Sequence, residues 1–85
     1  MSREQEVEPA TLTQAHEVVW QRRPARDADP QVWADFHRSS ALVYSRTASV
    51  DLRHRHEALQ CAAVEIRKAR DIEHRLNPGL DGEDS

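Results

Sequence analysis

Read as apolar against polar positions, the chain is dominated by the stretch from Asp51 to Leu76, which contains neither Gly nor Pro. Leu52, Leu59 and Ile66 recur every seventh residue, and Ala62, Ala69 and Leu76 form a parallel row three residues on. Ala63 and Ile72 widen these rows into a stripe that faces a core rather than a narrow two-stranded seam. Asp51 is placed to cap the start, where a carboxylate accepts from the free amides of the first turn. Asn77-Pro78-Gly79 supplies the stop. The pattern predicts a helix over 51–76.

Two shorter helices precede it. Thr11 followed by Gln14 has the form of a capping box and opens a face of Leu12, Ala15, His16 and Val19, with Trp20 one turn beyond His16. Arg22 and Arg23 sit at the negative end and Pro24 terminates, giving a helix over 11–23. Asp29-Pro30 is an N-cap followed by proline at the first helical position, where its missing amide is no loss. The helix it opens, over 30–48, carries Val32, Trp33, Phe36, Ser40, Val43, Tyr44 and Thr47 on its buried face. All four prolines fall at element boundaries, and both glycines follow Pro78. The joint Ala48-Ser49-Val50-Asp51 lacks both residue types, but Ser45, Thr47, Ser49 and Val50 are weak helix formers, so a tight turn is expected there. The alternative, one rod from Pro30 to Leu76, would run roughly 70 Å and bury its face only in an oligomer.

The fold expected is therefore an all-α three-helix bundle over residues 10–77. Acidic tails, 1–9 and 78–85, lack apolar periodicity and are expected to be disordered.

Composition narrows the function classes. In 85 residues, 38% are hydrophobic and 32% charged, so the core has little apolar material to draw on. Domains of this size are marginal as monomers, and association is a natural remedy. The lone Cys61 excludes an intrachain disulfide framework and fits a reducing, cytoplasmic setting. No window approaches a membrane span. The formal charge of −3 is concentrated at the ends, in Glu4, Glu6 and Glu8 and in Asp81, Glu83 and Asp84, leaving a faintly basic body. That distribution does not favour strong nucleic-acid binding.

The residues Ala15-His16-Glu17, Tyr44, and the run of Asp51 with His54-Arg55-His56-Glu57-Ala58-Leu59 resemble a group of short, all-helical, uncharacterised actinobacterial proteins. The resemblance covers most of residues 11–70 and implies a helical fold. In that group aromatics often follow the Glu-Ala-Leu triplet, whereas Gln60-Cys61 stands here. No activity comes with the group, so the resemblance assigns no role to any residue.

Candidate chemistry is sparse. Phosphate-cradling loops need glycine for close backbone approach, and none precedes residue 79. His54, Glu57 and Cys61, at helical spacing i, i+3 and i+7, are the one set that lines up as metal ligands, giving a metal-responsive module as one alternative. Cys61 as a nucleophile is disfavoured by Glu57 and Glu65, each one turn away. His16 and His56, at the edges of their stripes, are placed to meet across a helix interface as a pH-sensitive pair. Arg22, Arg23 and Arg26 beside Trp20 form a small basic patch, the basis for a weak nucleic-acid accessory role as a second alternative. His37 lies near Ser39 and Ser40, with no acid expected to orient its imidazole, so catalysis is not expected and no cofactor is implied. The leading expectation is a protein-interaction module, a regulatory partner or adaptor that self-associates. Its anchors would come from Trp20, Trp33, Phe36 and Tyr44, because aromatics dominate interface energetics.

Overall fold

The computed structural model describes residues 8–78, and within them the chain forms three α-helices and no strand. Helix α1 spans Leu12–Gln21, α2 Pro30–Val50 and α3 Arg55–Leu76, with a 3-10 turn at Leu52–His54 leading into α3. This is the three-helix bundle read from the sequence. The expected tails lie outside the described residues except at 8, 9 and 78. Among the described residues no helix is long and apolar enough to cross a membrane.

The boundaries follow local chemistry. Thr11 is extended and its hydroxyl accepts from the Gln14 amide at 3.1 Å, while the Gln14 side chain reaches back to the Ala10 amide at 2.8 Å. One of the free N-terminal donors of α1 is thereby satisfied, together with the amide just ahead of the cap. Pro30 occupies the first turn of α2, although the Asp29 carboxylate makes no capping bond. Helix α2 runs on to Val50, and the break falls at Asp51. The expected turn between the second and third helices is present, and the single long rod is excluded.

Asp51 does not cap the helix that follows it. Its Oδ2 accepts from the Leu12 amide at 2.9 Å, so it caps α1, distant in sequence, and its carboxylate also faces His54 Nδ1 at 3.1 Å. The expected local cap is corrected to a tertiary one, because the 3-10 turn carries the free amides of α3 away from the Asp51 side chain.

The core differs from the expected stripe in the same instructive way. Ala34, Ala41 and Ala48 of α2 recur every seventh residue and are buried, as are Ala58, Ala62 and Ala69 of α3, and Ala41 and Ala62 share one core cluster. Two rows of alanine let helix axes approach closely, so main-chain atoms supply packing that side chains would otherwise provide. Leu52, Leu59 and Leu76 of the expected stripe are exposed, Ala63 is exposed, and Ile66 and Ile72 are half-buried. Ala62 and Ala69 of the expected stripe are buried as expected and Ile66 packs against the core, while its leucines lie at the exposed edge. Helix α1 then lies against the other flank of α2, with Ala15 buried among Ala41, Tyr44 and Ala62 and with Leu12 and Val19 packed on them. Phe36, Ser40, Tyr44 and Thr47 are buried as expected, whereas Val32 is exposed.

Candidate functional site

An open groove of about 610 Å³ lies between α1 and α3. Leu12 and His16 of α1 form one wall, Tyr44 of α2 the floor, and Glu57, Gln60, Cys61, Val64 and Glu65 of α3 the other wall. Tyr44 is carried to the floor because α2 is the middle layer, with α1 on one flank and α3 on the next.

Two hydrogen bonds cross the helices at this floor. The Tyr44 hydroxyl and His16 Nδ1 lie 2.7 Å apart, their rings edge-on at a centroid distance of 5.4 Å. Burial, then the neighbouring Cys61 and Glu65, push the Tyr44 phenol up to about 12. A phenolate there would lack solvation and face other negative groups, so the neutral hydroxyl is the form that is held. Beneath the floor, the buried His37 ring places Nδ1 at 2.7 Å from Glu65 Oε1, and the imidazole N–H donates to the carboxylate. Lys68 Nζ lies 3.8 Å from the other Glu65 oxygen. This bond corrects the expectation that no acid stands beside His37. Ser39 Oγ donates to the Phe36 carbonyl at 3.1 Å, turning it to its own helix backbone and away from that pair.

Cys61 is half-covered in the groove wall. Burial raises its thiol pKa, and Glu65 and Glu57 raise it further, so the protonated, unreactive form is favoured, as its position between two glutamates suggests. The metal set His54, Glu57 and Cys61 does not assemble. Among the described residues no three His, Cys, Asp or Glu side chains converge on a point that would hold an ion. The reason is the 3-10 turn: His54 precedes α3, so the i, i+3, i+7 register assumed for the three is not kept, and His54 turns to Asp51 instead. His16 and His56 do not meet either. His16 is bound to Tyr44, and His56 is exposed on the first turn of α3.

The aromatic anchors separate into two kinds. Phe36 and Tyr44 are buried inside the chain's own core, Tyr44 reaching solvent only as the floor of the groove, which corrects their place among exposed interface anchors. Trp20 is 69% exposed. Trp33 is half-buried, donates through Nε1 to the Ala25 carbonyl at 3.1 Å, and meets Phe36 edge-on at 5.6 Å. Between the tryptophans lies Arg23, its guanidinium carbon 5.4 Å from the Trp20 ring centre and 5.2 Å from that of Trp33. One cation of the expected basic patch is thus engaged with two indoles, joining the end of α1 to the start of α2. Arg22 and Arg26 are exposed.

Sequence reasoning missed the role of Asp51, the His37–Glu65 bond and the His16–Tyr44 bond. Each joins residues 28 or more apart in the chain. The one local hint was a polar residue, His37 or Glu65, in line with buried alanines. Comparison with protein-family models, with curated proteins and with solved structures finds no match to this chain.

Proposed function

We propose that this chain is a small protein-interaction module of the cytoplasm, a regulatory partner or adaptor that self-associates. One observation carries the reading: most of the buried apolar positions are alanine, and eight large apolar side chains are left exposed. Trp20, Val32, Leu42, Val50, Leu52, Leu59, Val64 and Leu76 are all between 41% and 69% exposed. Single exposed apolar residues are ordinary, but so many on a chain of 85 residues make apolar surface that association would cover. Burying each large aliphatic side chain is worth about 1.5–3 kcal/mol, so a handful covered together sustains a specific contact. The test is molar mass by light scattering over a dilution series. A mass rising above that of one chain with concentration is expected; one chain at every concentration rejects the reading.

A further inference from the structure

The groove between α1 and α3 carries charge of one sign. No Lys or Arg lines it: its charged residues are Glu57 and Glu65 of α3, and Glu17 of α1 lines the shallow depression that adjoins it through their shared His16. Glu65 is already committed, one oxygen to His37 and the other to Lys68. Glu57 and Glu17 rise from different helices and are both exposed, and among the described residues neither is paired with a cation. The bed of the groove is apolar, with Leu12, Tyr44 and Val64 in it. An apolar bed edged by unpaired carboxylates is complementary to an apolar surface edged by cations.

We propose that the groove takes one amphipathic helix of a different protein, apolar along one face and edged on both sides with Lys or Arg. The inference rests on the interaction-module reading above and names a partner other than a second copy. The floor and walls of the groove are helices whose main-chain groups bond one another, and among the described residues no strand offers an edge. An extended segment would cross the apolar bed with its own amides and carbonyls unpaired, whereas a helix arrives with them satisfied. Because α1 and α3 both pack on α2, a helix laid between them over Tyr44 completes a fourth member of the bundle. Glu57 and Glu65 stand about 12 Å apart along α3, room for about two turns of the occupant. Its cations then meet Glu57 on one edge and Glu17 on the other. The segments that flank the bundle do not fit, since Glu4, Glu6, Asp81, Glu83 and Asp84 give them the sign of the groove itself.

Titration calorimetry of the full chain with three synthetic peptides tests this. The first, of about eighteen residues, sets leucines three and four apart on a lysine background and is long enough to hold a helix. The second scrambles that order, and the third replaces lysine with glutamate. The periodic lysine peptide is expected to bind, with the other two weaker by about tenfold or more. Glu57→Lys and Val64→Arg should each weaken it by about tenfold or more, while Leu59→Gln, exposed but outside the groove, changes nothing. Both groove positions are exposed, and a circular dichroism spectrum matching wild type shows that a loss is not one of folding. Absence of binding overturns the proposal, as does binding that both groove variants leave intact, or equal binding by the scrambled or acidic peptide. A lysine peptide that binds the single chain and is shut out as copies associate gives the groove to a second copy and overturns it too. Self-association is read from the light-scattering masses, without peptide, so it stands or falls apart from these outcomes.

Discussion

The Leu12 amide donates to Asp51 Oδ2 at 2.9 Å, a bond that ties the first turn of α1 to the joint between α2 and α3. One carboxylate therefore serves as the cap of a helix that begins 39 residues earlier. It holds the end of α1 at which Leu12 packs against the core and lines the groove.

Replacing Asp51 with Asn or Ala is expected to loosen α1 selectively. Amide hydrogen exchange should speed up over the first turn of α1 while α2 and α3 keep their protection. The bond to the Leu12 amide, with help from His54, holds the Asp51 carboxyl below its ordinary value against a smaller opposing effect of burial. A depressed folded-state value gives stability that is present above the unfolded value, near 3.9, and lost as pH falls through the folded one. Melting temperatures of wild type and Asp51→Asn should thus differ at neutral pH and converge in strong acid.

Tyr44 gives the opposite slope at high pH. Its folded value of about 12 lies above the ordinary value of 10.0, so the stabilisation is complete below pH 10 and lost as pH rises from there through about 12. Phenolate absorbance in the folded protein should appear only near the upper end of that window. Tyr44→Phe should flatten the alkaline loss of stability and, by deleting the bond to His16, cost about 0.5–1.5 kcal/mol at neutral pH. A Tyr44 that titrates at the ordinary phenol value would contradict the buried floor described above.

The alanine seam predicts an asymmetry between small and large residues. Ala41→Leu or Ala62→Leu should force the α2–α3 contact apart and destabilise by about 1–3 kcal/mol in chemical denaturation. Leu42→Ala, on an exposed site, should change stability by no more than about 0.5 kcal/mol. A larger loss from Leu42→Ala would mean that the alanines do not set the α2–α3 contact.

The buried His37–Glu65 bond is expected to show strong pairwise coupling. Glu65→Leu alone strands a buried imidazole donor and should cost about 1–3 kcal/mol. Adding His37→Phe removes the stranded group, and the double variant should recover much of that loss. A double-mutant cycle with no coupling would mean that the two side chains do not depend on each other.

The sequence alone determined the elements. Prolines at boundaries, the Thr11–Gln14 cap and the long helical periodicity mark three helices, because each of these signals acts within a few residues of where it is read. Even the weak joint before Asp51 was legible, since poor helix formers gather there. Which faces meet was decided only by the folded chain. The stripe expected on α3 joined both rows, Leu52, Leu59 and Ile66 with Ala62, Ala69 and Leu76; in the folded chain Ala62 and Ala69 are buried and the three leucines are exposed. The groove, the Asp51 cap and the two cross-helix histidine bonds follow from that choice of face. They join side chains whose nearness is a consequence of how closely two helices can approach, and no local pattern carries that distance.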